Sequence, residues 1–414
     1  MARRRVLILG TGLISRFHQQ AVETSDRLEL AGRIPFRTGD WRAALARADA
    51  DFLVVATASG AHDEAVLAAA ERRLPVLVEK PLAISTARLD ALAAACAATG
   101  TPLGCICQTR WTPAFQATLS AVRAGRLGRL TYARVAVPWW RDDAYYTESA
   151  WHGTRALDGG GALMNQSIHM IDWLTALMPP VAEVRGFTAT LAHPMETEDT
   201  ACAAIRFEGG ALGAVYGATS SWPGRAKTLE VTGTKGTIVL RDHAIAEWTL
   251  ADGTPPPRLE TAQTAAHGSS RPDQLDSSLH RACFEAFAAA LDGGDPYPVD
   301  AAAARRSIDL IERIYARENA LGRDALVASA HYARENALGR DALVASAHYA
   351  RENALGRDAL VASTHYAREN ALGRDALVAS AHSPAAPVAG PRKLFREKFS
   401  APLTESAACA TLPL

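Results

Sequence analysis

Three polar side chains stand out in the stretch Asp158-Gly-Gly-Gly-Ala-Leu-Met-Asn165-Gln166-Ser-Ile-His169-Met-Ile-Asp172-Trp173. Read as a helix, it places Asn165, His169 and Asp172 at i, i+4 and i+7, on one face. Unpaired polar groups are costly when buried, so such a face on an otherwise apolar helix asks for a reason. The alternative is a structural histidine whose hydrogen bonds are satisfied. The three glycines in front allow another backbone, or a cofactor, to approach closely. A second constellation is Glu79-Lys80-Pro81, which directly follows the apolar run Leu74 to Val78. Ligands of open α/β sheets bind beyond the carboxyl ends of the strands. A lysine there can give or take a proton if burial and a neighbouring positive charge lower its pKa. The alternative for Lys80 is a surface lysine.

The elements that must position these residues are legible as alternating apolar runs. Val6 to Leu9, Leu28 to Gly32, Asp51 to Ala56, Leu74 to Val78 and Leu103 to Cys107 read as strands. Between them, stretches through His18 and Ala21, Trp41 to Ala48, His62 to Arg73 and Leu89 to Ala98 read as helices. Strands that are apolar throughout and alternate with helices indicate a parallel, doubly wound sheet. After about Trp111 the pattern changes to alternating strands, such as Ala201 to Phe207, Ala211 to Tyr216 and Thr228 to Thr232. These predict a mostly antiparallel second sheet. Ser278 to Leu291 and Ala301 to Tyr315 read as helices.

The first strand runs into Gly10-Thr11-Gly12-Leu13-Ile14-Ser15, and a helix follows. Glycines at such a turn let the backbone approach a pyrophosphate, and the helix N-terminus supplies N–H donors. Ser15 stands where the third glycine of the usual fingerprint would be. In this context the motif predicts a Rossmann dinucleotide-binding domain. An acidic residue for the ribose is expected at the end of the second strand, but that strand closes Gly32-Arg33-Ile34-Pro35. Arg33 and Arg37 suit a 2′-phosphate, so the expectation is NAD or NADP with a lean to NADP. Solvated surface arginines are the alternative.

The 414 residues, with 44 basic and 44 acidic side chains, suit two domains and an appendage. Balanced charge gives no footprint for nucleic acid or an anionic membrane. Six scattered cysteines without ligand spacing predict no metal site and a reducing, cytoplasmic setting. No stretch is long enough for a membrane span. From Ala316 a 17-residue unit repeats four times in tandem, with starts at Ala316, Ala333, Ala350 and Ala367. Its composition favours helix. The expected divisions are 1–110 (dinucleotide-binding), 111–315 (substrate-binding α/β), 316–383 (helical repeats) and 384–414 (a disordered tail).

Taken together, Gly10-Thr-Gly12-Leu-Ile-Ser-Arg-Phe-His18, Glu79-Lys80-Pro81, Gly159 to Asp172, Glu198-Asp199-Thr200 and Phe207 to Gly213 resemble the Gfo/Idh/MocA oxidoreductases over about Val6 to Arg323. The form Met164-Asn-Gln166-x-x-His169, with Tyr145-Tyr146 and Trp151 to Thr154, is similar to the nucleotide-sugar 3-dehydrogenase subgroup. That resemblance implies hydride transfer between nicotinamide and a ring carbinol of a sugar, cyclitol or nucleotide sugar, with Lys80 and His169 catalytic. It implies a cofactor site of Gly10, Thr11, Gly12, Leu13, Ile14, Arg33, Thr57, Glu79 and Lys80. It implies a substrate site of Lys80, Arg110, Trp151, Asn165, Gln166, His169 and Asp172, and a homo-oligomer formed through the second-domain sheet. The segment from Arg33 to Trp41 lacks a helix and strand that relatives carry. The alternative reading is therefore a catalytically impaired member that binds sugar or cofactor in a regulatory role.

Overall fold

The computed structural model describes residues 2–37, 39–259 and 277–316. The repeats beyond Ala316 and the tail, expected as helical and disordered respectively, lie outside these residues.

The first sheet is built by β1 (Arg4–Leu9), β2 (Leu28–Ile34), β3 (Phe52–Val55), β4 (Val76–Glu79) and β5 (Leu103–Ile106), all parallel in the order β2-β1-β3-β4-β5. All four residues of β3 and of β4 are buried, as continuous apolar runs predict for a sheet covered on both faces. Alternate residues serve opposite faces. Leu7, Leu9, Leu53, Val55, Val76 and Val78 share one core with α3 (His62–Glu71) and α4 (Thr86–Thr99). Val6, Ile8, Phe52, Val54 and Leu77 share the other core with α1 (Leu13–Glu23). Local chemistry sets the helix ends. Ser85 Oγ accepts the Arg88 N–H at the start of α4, and Gly100 closes it in the left-handed region at φ 70°. The chain leaves β2 at the sheet edge and reaches α2 (Trp41–Arg47) directly, with Asp40 as its cap. No further strand joins β2 among the described residues, in line with the shortened segment read from the sequence.

The second sheet is formed by β6 (Leu130–Pro138), β7 (Val181–Ala189), β8 (Thr200–Phe207), β9 (Leu212–Ala218), β10 (Thr228–Gly233), β11 (Gly236–Arg241) and β12 (Ala244–Leu250), in the order β12-β11-β10-β6-β9-β8-β7. Only β6 and β9 pair in parallel among these strands. β8 alternates buried and exposed residues along its length, the signature of a sheet with one face covered. α5 (Pro113–Arg123) and α7 (Ile168–Leu177) lie on the covered face, where Phe115 stacks on Trp173 at 4.8 Å between centroids. A short helix α6 (Asp143–Thr147) follows β6.

The expected division places 111–315 in one domain, yet one helix of that stretch packs on the first sheet. α8 (Ser278–Leu291) returns to the first sheet and fills the face that α1 leaves open. Phe287 meets Phe52 edge-on at 5.4 Å, and Cys283 and Phe284 are fully buried. Burying one such phenyl group contributes about 1.5–3 kcal/mol. The Cys105 N–H then donates to Val299 O, so residue 299 also caps the first sheet. A helix at residues 301–316 follows.

Candidate functional site

The turn after β1 is shaped by glycine. Gly10 has φ 126°, and a Cβ there would lie 2.3 Å from Ala56 O. Gly12 caps α1 with no side-chain hydrogen bond, and a Cβ there would meet nothing within 4 Å. Ser15, in place of the third glycine, is buried and donates its hydroxyl to Gly10 O at 2.9 Å, which ties the turn to the helix. Thr11, Gly12 and Leu13 are exposed, so the first N–H groups of α1 open outward. This is an empty-sided helix N-terminus of the kind that takes a pyrophosphate, and the residues fit a dinucleotide. Thr57 follows β3 beside this turn, half-buried. Arg33, on β2, donates to Gln19 Oε1 at 2.9 Å.

β4 ends on Glu79 and delivers Lys80. Glu79 is buried, and His18 Nε2 lies 2.7 Å from its Oε1. Burial pushes the Glu79 carboxyl up, but the His18 hydrogen bond and charge outweigh it and hold the group at about 2. The ring of His280 lies 5.3 Å from that of His18. Ligand-type atoms of His18, Glu79 and His280 come within 4.8 Å of one another, the one such grouping among the described residues. Lys80 Nζ donates to Asn165 O at 2.8 Å and Asn165 Oδ1 at 3.2 Å. Burial lowers the Lys80 pKa, opposed by the charges of Glu79 and Asp158.

The segment that faces Lys80 is not the plain helix expected. Ala162–Ser167 is a π-helical turn and only then does α7 begin. The wider turn follows from its anchoring. Glu198 accepts the N–H groups of Gly161 at 3.1 Å and Leu163 at 2.8 Å, and the Tyr315 hydroxyl at 2.8 Å. A Cβ at Gly161 would lie 1.8 Å from Glu198 O, and one at Gly160 would lie 2.4 Å from Tyr315 Oη. The π-turn ends at Ser167, so Asn165 lies in it and His169 in the α-helix that follows. Asn165 is held by Nδ2 on Asp158 Oδ1 at 2.7 Å, and Asp158 Oδ2 accepts the Gly153 N–H at 2.9 Å. Burial pushes the Asp158 carboxyl up to about 6, against the pull of those hydrogen bonds.

His169 is half-buried, and its buried Nδ1 has no hydrogen-bond partner among the described residues. Its pKa falls well below the usual value, first through burial and then through the charges of Lys80 and Lys227. It is a neutral imidazole at neutral pH. Gln166 bridges Tyr145 Oη at 2.8 Å and Arg141 Nη2 at 3.0 Å. Trp151 lies beside His152, which stacks on Tyr145 at 4.1 Å. A groove of about 400 Å³, lined by Tyr146, His152, Thr154 and Met195 among others, opens next to them.

Two residues expected in the substrate site pair with each other. Arg110 donates Nε and Nη2 to the two carboxylate oxygens of Asp172, at 2.6 and 2.7 Å. Both residues are buried and face each other, because a two-pronged ion pair is what makes charge tolerable there. Asp172 accordingly gives both oxygens to Arg110. Three residues that the sequence did not single out join the site: Arg141, Lys227 and, as the holder of Asn165, Asp158 in a specific role. Nothing in the local pattern marks the first two, since they flank strands and only the fold brings them inward.

Comparison with known proteins gives concordant matches. Residues 33–105 match the model described as an oxidoreductase family, NAD-binding Rossmann fold. Residues 115–239 match the GFO/IDH/MocA C-terminal domain. The chain is 28% identical to D-apiose dehydrogenase of Paraburkholderia graminis over 276 residues, covering 60% of this chain and 72% of that protein. It is 28% identical to 1,5-anhydro-D-fructose reductase of Ensifer adhaerens over 256 residues, covering 60% and 72%. Among solved structures, the WlbA dehydrogenase of Bordetella pertussis in complex with NADH and UDP-GlcNAcA superposes with a TM-score of 0.68 at 28% identity, covering 77% of this chain and 96% of that one. No described helix is long and apolar enough to cross a membrane.

Proposed function

The chain belongs to the Gfo/Idh/MocA oxidoreductases, and on that premise we propose that it is an NAD(P)-dependent dehydrogenase of a ring carbinol on a sugar, cyclitol or nucleotide sugar. A nucleotide sugar oxidised at its 3-position is the leading form. It is supported by the pattern Met164-Asn-Gln166-x-x-His169 and by similarity to the WlbA dehydrogenase, whose structure holds UDP-GlcNAcA. The observation that carries the reading is the contact of Lys80 Nζ with Asn165 O and Oδ1, beside a neutral His169.

A neutral amine has two N–H bonds and one lone pair. Asn165 takes both N–H bonds of Lys80, which leaves the lone pair to accept the carbinol proton. Burial lowers the lysine's pKa, which favours the neutral amine. Asp158 fixes Asn165 and so aims Lys80. His169 holds the substrate hydroxyl at the other side through a ring nitrogen. The nicotinamide, when bound, supplies the hydride acceptor for oxidation or the donor for reduction. Gly10 to Ile14, Thr57 and the open start of α1 bind the dinucleotide, with Arg33 set to favour NADP. The uncovered face of the second sheet, with exposed Phe187 and Leu212, is proposed to pair with a second copy. A catalytically impaired role finds no support in this geometry, and cytoplasmic residence remains part of the proposal.

The test is a panel of free sugars, cyclitols and nucleotide sugars assayed for reduction of NAD⁺ and NADP⁺. We expect saturable cofactor binding and turnover on at least one class. In an active panel, His169→Ala lowers turnover more than it lowers melting temperature. Cofactor binding without hydride transfer to or from any member would overturn the reading.

A further inference from the structure

Glu198 collects donors. It stands just before β8, and three successive backbone N–H groups donate to it: Gly161 to Oε2 at 3.1 Å, Ala162 to the carbonyl O at 2.8 Å and Leu163 to Oε1 at 2.8 Å. N–H groups at the start of a helical turn have no partner inside it and need one from elsewhere. The Tyr315 hydroxyl is a fourth donor, to Oε1 at 2.8 Å. Glu198 is buried. A carboxylate suits this place because it only accepts, whereas an amide would turn an NH₂ toward one of the donors.

Both sides of this hold are themselves anchored. The next residue, Asp199, accepts the N–H groups of Leu191, Ala192 and His193 through its side chain, which pins the chain beside Glu198. Tyr315 stands near the end of the helix at residues 301–316. On the same helix, Glu312 accepts the N–H and the hydroxyl of Thr86 at the start of α4. Arg313 donates to Val181 O and Ala182 O at the start of β7. The helix is thus fastened to elements of both sheets close to the point where Tyr315 reaches Glu198. The far end of the π-turn is seated too: a Cβ on Gly217 of β9 would lie 2.5 Å from Ser167 Oγ.

The turn so held carries Asn165. A π-turn closes its hydrogen bonds one residue later than an α-helix, so its carbonyls point differently from those of α7. Asn165 O and Oδ1 both lie within hydrogen-bond reach of Lys80 Nζ. Asp158 holds the side chain of Asn165, and the turn places its backbone carbonyl. We infer that Glu198 and Tyr315 are positioning residues for Lys80: they fix the π-turn that brings Asn165 O to the lysine amine. They act through the backbone, with no hydrogen bond to Lys80 among the described residues. The inference rests on the dehydrogenase reading above for the use made of Lys80, but the placement of the amine is measurable without a substrate.

The experiment follows the titration of Lys80 by NMR in the full-length protein, with lysine isotope-labelled at Cε. The chain has five lysines, and Lys80→Met assigns the signal. Carbonyl acceptors favour the ammonium form, so an amine that loses Asn165 O titrates at lower pH. Glu198→Gln faces either the Gly161 or the Leu163 N–H with an NH₂, whichever way round the amide sits. It should lower the Lys80 titration by about one pH unit, the worth of a hydrogen bond to a charged group. Tyr315→Phe keeps the Glu198 charge, removes one donor, and should move the titration the same way by less. Lys227 and Lys235 are internal references that should stay in place, and melting temperature checks folding. If Glu198→Gln fails to fold, Tyr315→Phe carries the test. On the panel sugar with the highest wild-type kcat/KM, Glu198→Gln should lower kcat about 10–100-fold through misplacement, with KM near wild type. In a Lys80→Met background the same substitution should cost nothing further. An unmoved Lys80 titration in both folded variants overturns the inference. So does a shift in Glu198→Gln with none in Tyr315→Phe, the mark of a lost charge alone. A shift of Lys227 alongside Lys80 marks general loosening and also overturns it. The expected Lys80 shift without turnover of any panel sugar retains this hold and removes the dehydrogenase reading. Turnover with an unmoved Lys80 titration does the reverse.

Discussion

The segment from Asp158 to Asp172 carries two buried polar partnerships, and they differ in what they leave over. At one end, Lys80, Asn165 and Asp158 form a chain in which each contact is single-ended. The amine keeps a lone pair, and both its own pKa and that of Asp158 are moved by burial. At the other end, Arg110 and Asp172 meet through two short parallel hydrogen bonds, and each charge is met by the other. Burial lowers the Arg110 pKa, but the Asp172 charge outweighs it and the net shift is upward. Residue type alone makes the two ends look alike. The difference is that one end is a closed, two-pronged ion pair and the other is not, and it separates chemistry from architecture within one stretch of chain.

The largest effect expected from this contrast is on catalysis at the open end. Lys80→Met should lower turnover by about 10²–10⁴-fold, the span of a lost general acid or base, with cofactor affinity and melting temperature close to wild type. Steady-state kinetics and a melt decide it. Turnover near wild type would place the proton transfer elsewhere and erase the contrast.

The closed end should respond in the opposite currency. Arg110→Met strands the buried Asp172 carboxylate, and breaking such a pair costs about 3–5 kcal/mol of stability. Chemical denaturation should report that loss, while kcat per folded molecule stays near wild type. An unchanged midpoint together with a raised KM for sugar would return Arg110 and Asp172 to the substrate site.

A smaller effect sharpens the open end. Asp158 has its folded pKa raised from 3.8 to about 6. Below 3.8 the group is protonated in both folded and unfolded chains and costs nothing. Above about 6 it is ionised in both, and folding then bears a cost of about 3 kcal/mol for a shift of roughly two units. Through this group, stability rises as pH falls from 7 to 4. Asp158→Asn removes the titration, so the stability difference between wild type and variant should change by up to that amount across the window. The new amide has one acceptor oxygen where the carboxylate had two, so it can serve Asn165 Nδ2 or the Gly153 N–H but not both, which loosens the hold on Asn165. A drop in kcat should therefore accompany the flattened pH profile. A difference that is constant with pH would mean that Asp158 is not the buried, raised carboxyl of this chain.

The parts legible in the sequence were those written in local periodicity. Runs such as Phe52 to Val55 declare a buried parallel strand wherever they occur, and Gly10 to Ser15 after β1 declares its turn. The antiparallel second sheet followed from alternation in stretches such as Thr200 to Phe207. What failed depended on partners far away in the chain. The π-turn at Ala162–Ser167 is held by Glu198 and Tyr315, partners that no helical wheel drawn on residues 165–172 contains. α8 reads as an ordinary helix, and only the open face over Phe52 assigns it to the first sheet. Lys227 carries no signal in sequence, because its burial is a property of three strands meeting.

The smallest expected effect extends the contrast to a third arginine. Arg33 uses one N–H on Gln19 Oε1, and its buried Nε has no hydrogen-bond partner among the described residues. A guanidinium has five donors, and Arg33 meets no counter-charge among the described residues, whereas Arg110 is locked in a two-pronged pair with Asp172. It stands at the end of β2, where a ribose is read in dinucleotide-binding sheets, and Pro35 follows in place of an acid that would repel a 2′-phosphate. One charge-assisted hydrogen bond at a half-open site is worth about 1 kcal/mol after solvent screening, or roughly fivefold in affinity. Fluorescence titration should therefore show NADP⁺ bound a few-fold more tightly than NAD⁺. Arg33→Ala should bring the two together by weakening NADP⁺ alone. A wild type that prefers NAD⁺, or a variant that loses both cofactors equally, would show that the spare donors of Arg33 serve the turn around Gln19 and not the ribose.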